Sequence, residues 1–204
     1  MTWSGEELAR FLDSIQEDRL QLLYLLLGLV GLHRGEVVAL RWSDVDPNAG
    51  LLRVEHSAVL VHGVAAVGPP KSAAGARTVA LDDETCRRLQ WHACRQRLEV
   101  LRTTGELATP ELVFTTPEGT PLDPAYVSRH FDRLVARHGL RRVRLHDLRH
   151  TSASIGLASG ESLLEVSRRL GHSSIRVTAD IYSHISPVVA RESAQRRAQH
   201  VFDN

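Results

Sequence analysis

The chain has 204 residues, 43% of them hydrophobic, enough to bury one substantial core, so a single domain is the default. Its formal net charge of +1 does not by itself mark a nucleic-acid binder, and the distribution of charge has to decide. The longest apolar run, Leu22 to Leu32, is far shorter than the roughly 20 residues a membrane span needs, and no signal segment is visible.

In chain order, Ser4-Gly-Glu-Glu7 reads as a capping box, with Leu8, Phe11, Leu12 and Ile15 following at helical spacing. A second, mostly apolar helix is predicted from about Arg19 to Val30, buried in the core, with Gly28 and Gly31 allowing close approach. Gly31-Leu32-His33-Arg34-Gly35-Glu36 leads into a short helix ending near Trp42, and Asp46 to Gly50 is a turn. Leu51 to Val61 and Thr78 to Leu81 are rich in β-branched residues and bounded by turns, which predicts a small antiparallel sheet. Between them, Pro69-Pro70-Lys71-Ser72 carries the only lysine among 25 basic residues. A loop lysine taken alone is a surface charge.

Asp82 opens a long helix reaching about Arg102. Cys86 and Cys94 both fall on it, about 12 Å apart along its axis, too far for a disulfide, and a reducing cytoplasm is expected. Val113-Phe114 is a brief extended piece, and Asp123-Pro124 supplies an N-cap and first-turn proline for a helix to about His138. Seven arginines (129, 133, 137, 141, 142, 144 and 149) face only Asp132 and Asp147 over the next stretch, a positive patch suited to a phosphate backbone.

Residues 144 to 182 hold the chemistry. His146 and Arg149 are three apart and share a helix face, with Leu145, Leu148, Ile155 and Leu157 as the buried flank. Glu161 to Leu170 reads as a helix stopped by Gly171, which places His172 just past its end, and Ser173-Ser174 can cap the next segment. Tyr182 comes ten residues after His172. Two histidines, an arginine and a tyrosine make an anion site with a candidate nucleophile. His146 and His150 also mimic a zinc-binding pair, but Asp147 replaces the longer glutamate base and Arg149 would set positive charge beside the ion. No metal and no other cofactor is expected.

His146-Asp-Leu-Arg149-His150-Thr151, Leu170-Gly171-His172 and Tyr182-Ser-His184, in that order within forty residues, resemble the signature of the tyrosine recombinases, the phage integrase family. The resemblance covers nearly the whole chain. It implies a mainly α fold with a small antiparallel β-sheet, a catalytic domain over residues 1–187 and a C-terminal helical arm over 188–204. It also implies that the family's amino-terminal clamp domain is absent from this chain. The implied activity is site-specific DNA recombination and integration by cutting and rejoining DNA through a 3′-phosphotyrosine. Tyr182 would be the nucleophile, Arg149, His146 and His172 would hold the phosphate, and Lys71 would be the general acid. Lys71, Arg34, Arg144 and Arg149 would contact DNA. Double-stranded DNA and further copies of the chain, joined by exchange of the arm, are the implied partners, with no membrane and no small-molecule substrate.

One position departs. The family motif Gly-Leu-Arg-x-x-Glu has His33 in place of its arginine here, and Arg34 lies a step along, about 100° round a helix. A neighbouring phosphate should raise the His33 pKa, with nearby Arg149 and Lys71 opposing, so charge is expected to appear as pH falls through neutrality. The alternatives are a DNA-binding member with impaired catalysis, and a nicking-closing activity like that of type IB topoisomerases.

Overall fold

The computed structural model describes residues 2–61, 64–70 and 75–176, and singly 179, 195, 198 and 202. Lys71, Tyr182 and most of the 188–204 arm lie outside the described residues.

Short-range capping sets most helix starts. Ser4 Oγ accepts from Glu7 N (3.2 Å) and Glu7 Oε2 from Ser4 N (2.8 Å), opening α1 (Gly5–Ser14). α2 (Gln21–Leu25) then passes into a π turn, Leu26–Val30, where the predicted helix was continuous. Gly31 N donates to Leu26 O (3.0 Å), and Gly31 ends the turn at φ 83, a conformation that favours glycine. A Cβ on Gly31 would collide with Leu170 and lie 2.8 Å from Ser152 Oγ, while one on Gly28 would lie 2.6 Å from Leu8. Both glycines therefore mark close packing, as the sequence suggests. α3 (Arg34–Val38) begins with His33 as its N-cap.

The sheet region is more divided than one small sheet. β1 (Val45–Asp46), β2 (Leu51–Val54) and β5 (Arg77–Ala80) form an antiparallel three-stranded sheet in the order β1-β2-β5. β3 (Ser57–Val61) and β4 (Val64–Gly68) form a separate hairpin. The apolar stretch read as one strand from Leu51 is thus broken at Glu55 and His56, and β4 was not anticipated. Leu52 pairs with Val79, and both are buried.

α4 (Asp83–Thr104) is capped by Asp82, which accepts from Thr85 N (3.0 Å). Cys86 is buried on it and Cys94 exposed, both as free thiols. α5 (Pro124–Arg137) follows its Asp123 cap. α6 (Asp147–Ala158) and α7 (Leu163–Leu170) follow, α7 starting after Ser162 rather than at Glu161. The core joins α1, α2 and α5 through Trp3, Phe11, Tyr24 and Phe131, whose ring centroids stand 5.2 to 5.8 Å apart. Fully burying side chains of this size contributes about 1.5–3 kcal/mol each. Leu148 joins the same core, so α6 is anchored beside the π turn. Among the described residues no helix is long and apolar enough to cross a membrane.

Candidate active site

Two helix ends meet under α6. The π turn leaves the carbonyls of Leu29, Val30 and Gly31 without intrahelical partners, and α7 leaves those of Arg169 and Leu170. Donors from elsewhere satisfy them. Ser152 Oγ reaches Leu29 O (2.8 Å) and Arg169 Nη1 reaches Val30 O (3.0 Å). Arg149 Nη1 reaches Gly31 O (2.6 Å), and its Nη2 donates to Leu170 O. Cations suit the negative end of a helix dipole, which helps explain how a guanidinium only 3% exposed is tolerated here. Burial, opposed by Glu36 but aided by Arg77 and Arg169, lowers the Arg149 pKa to about 10. Arg149 stays cationic at neutral pH. Two of its five N–H donors are committed to these carbonyls, and three remain.

Arg149 lies in a cleft of about 890 Å³ that His33, Arg34, Glu36, Arg142, Arg144, His146 and Gly171 also line. The His33 and His146 rings stack at 5.7 Å and 10°, and His150 stands edge-on to His146 at 5.2 Å. Pro70 and Gly75, the described residues flanking the Lys71 loop, line the same cleft. His172 follows the left-handed Gly171, its N–H donating to Ser167 O (3.0 Å), and borders the adjoining groove between β5 and α7. The structure therefore gathers His33, Arg34, Arg144, His146, Arg149 and His172 into one region. It does not speak to Lys71 or Tyr182.

All four histidines here have lowered pKa values. Burial dominates in each case. For His33 it acts with Arg149 and brings the value to about 4, against a pull from Glu36. His172 also falls to about 4, through burial, Arg149 and His150. His146 and His150 shift the same way, each chiefly by burial. They are neutral imidazoles at neutral pH, each with one N–H to donate.

The arginine patch looks different in three dimensions. Arg144 pairs with the buried Asp147 (2.9 Å), Arg141 with Glu7 (2.7 Å) and Arg129 with Asp123 (3.3 Å). Arg34 donates to Ser128 Oγ (2.8 Å) across to α5. Arg142 is exposed at the cleft and makes no ion pair among the described residues. The sequence reading overlooked one buried pair, Arg77 with Glu36, both Nη–Oε contacts being 2.9 Å. Nothing in the local pattern of β5 distinguishes Arg77 from an exposed strand arginine.

The phage integrase family model matches residues 4–187. A tyrosine recombinase XerC-like protein of Caldanaerobacter subterraneus is 32% identical over 199 residues, covering 91% of this chain and 51% of that protein. The ICEBs1 integrase of Bacillus subtilis is 28% identical over 197 residues, covering 95% and 53% respectively. The chain spans about half the length of these curated relatives. Among solved structures, the Tn1549 transposon integrase in complex with transposon right end DNA shares the fold at TM-score 0.79 and 21% identity, over 97% of this chain and 66% of that one. XerA recombinase does so at TM-score 0.74 and 23% identity, over 97% and 65%. With its mainly helical fold, its antiparallel strands and a family match across most of its length, the chain belongs to the phage integrase family.

Proposed function

We propose that this chain is the strand-cutting and rejoining unit of a site-specific DNA recombinase or integrase, acting in the cytoplasm over residues 1–187, with 188–204 as an arm that contacts other copies. Tyr182 attacks a phosphodiester, forming a 3′-phosphotyrosine and freeing a 5′-hydroxyl. Attack by another strand's 5′-hydroxyl reverses the step, so the bond energy is kept and neither ATP nor a metal is consumed. The observation that carries this reading is Arg149, a buried guanidinium fixed by two carbonyls at the cleft with donors to spare. Such a preorganised fork suits the charge growing on nonbridging phosphate oxygens. His146 and His172 each donate one further hydrogen bond, and Lys71, whose flanking residues line the cleft, protonates the leaving oxygen. Lys71, Arg34, Arg144 and Arg149 meet the DNA backbone.

The test is a nicked duplex carrying the sequence this chain selects from a randomised DNA pool. Wild type should accumulate a covalent 3′-linked adduct on a denaturing gel, and Tyr182→Phe should form none. An adduct surviving in Tyr182→Phe removes that residue as the nucleophile.

A second reading has its own support. His33 is neutral where the family motif has an arginine, so DNA binding with slow or absent transfer fits the same cleft. Plasmid relaxation without two-site recombination would point instead to nicking and closing.

A further inference from the structure

Arg149 is one of two arginines that grip the end of α7, and the strand-transfer reading uses only that one. Arg77, at the start of β5, donates through Nε to Arg169 O (2.6 Å), one residue before the carbonyl held by Arg149. Its Nη1 and Nη2 donate to the two Glu36 oxygens at 2.9 Å each, and Nη1 also reaches Gly75 O (2.9 Å). The paired side chains are 6% and 5% exposed. Glu36 Oε2 in turn accepts from His33 N (2.8 Å). The Arg77 fork thus ties the last turn of α7 to the backbone of His33 through one carboxylate. Arg149 ties the same two segments from the cleft side, through Gly31 O and Leu170 O.

We infer that Arg77 is a positioning residue, fixing the His33 and His172 segments against Arg149 without touching the phosphate; the inference rests on the strand-transfer reading. All three of its nitrogens are engaged within the protein, and it borders the groove between β5 and α7 rather than the cleft. The job requires a planar, bidentate donor with a third arm. A lysine ammonium carries the same charge but is a point donor on a flexible stem.

The variants are Arg77→Lys, Arg77→Gln and the paired Arg77→Met with Glu36→Leu, which removes the tie without leaving one charge buried alone. Each is measured for single-turnover cleavage of the nicked DNA, for Kd on that DNA, and for hydrogen exchange at the His172 amide. Cleavage should slow by about 10- to 100-fold in all three, a loss typical of misplaced catalytic groups. Kd should move less than about threefold, and exchange at His172 should accelerate. In an Arg149→Ala background, Arg77→Gln should add less than about threefold, because both act through the same segments.

Wild-type rates in Arg77→Lys would show that charge suffices and overturn the inference. So would losses that multiply with Arg149→Ala, or a Kd that weakens in step with the rate. Should the single variants unfold, the paired variant carries the same comparison. If wild type forms no adduct with any DNA, the strand-transfer reading fails on its own, and unchanged exchange at His172 would still overturn the role given to Arg77.

Discussion

His33 shows how one side chain's surroundings override its textual position. Its place in the Gly31-to-Glu36 motif is legible in the sequence, and the expectation was that a phosphate would charge it as pH falls through neutrality. The structure shows how strong the opposing pull is in the protein alone. Burial and Arg149, from a helix far along the chain, hold its pKa down to about 4. A neutral imidazole offers one hydrogen bond where arginine offers a charged fork. His33→Arg should therefore speed single-turnover cleavage by about 10²- to 10³-fold, the scale of one restored charge-stabilising group. The gain should hold throughout roughly pH 6 to 9, a window around the reference histidine pKa. Wild type should show no rise across that window assignable to His33, and His33→Ala should track it. Equal rates for His33→Arg and wild type would mean that this position does not limit the chemistry.

At the scale of elements, the features written locally were readable and those imposed from a distance were not. Ser4, Asp82, Asp123 and Gly171 act within three or four residues of themselves, and each caps the helix that the sequence assigns to it. The π turn is different: its carbonyls are satisfied by Ser152, Arg149 and Arg169, all from α6 and α7, so nothing between Leu26 and Val30 announces it. The Arg77–Glu36 pair is equally non-local, and the break at Glu55 and His56 splits a run that local β-propensity treats as continuous. Gly31 concentrates these constraints, with φ at 83 and no room for a Cβ against Leu170 and Ser152. Gly31→Ala should cost about 2–4 kcal/mol, combining positive-φ strain with overpacking. Denaturant unfolding measures it directly. A loss below about 1 kcal/mol would mean that the turn relaxes at little expense.

For the whole molecule, two titrations follow from how charge is distributed. Unfolded histidines bind protons below about pH 6.5, whereas folded His33, His172 and His92, which is buried on α4 with Nε2 2.8 Å from Val113 O, resist until about pH 4. Their contribution is therefore present above the unfolded value and lost as pH falls towards 4. Unfolding near pH 5 should take up about three protons on these groups alone, seen as a Tm that falls steadily from pH 7 to 4.5. A flat Tm over that range would contradict their burial as neutral rings. The other titration is by salt. Seven arginines between 129 and 149 suggest strongly salt-dependent DNA binding, yet Arg129, Arg141 and Arg144 carry carboxylate partners and Arg149 is buried. A cation already neutralised by a neighbour releases few counterions when a phosphate approaches. Arg142, exposed at the cleft without such a partner among the described residues, should release its full share. Arg142→Ala should accordingly lower the slope of log Kobs against log salt by about 1, the value for one lost phosphate contact. Arg141→Ala should leave the slope unchanged while loosening the amino terminus, since its guanidinium holds Glu7 (2.7 Å) and donates to Thr2 O. Equal changes in slope from the two variants would show that the carboxylates do not screen the patch.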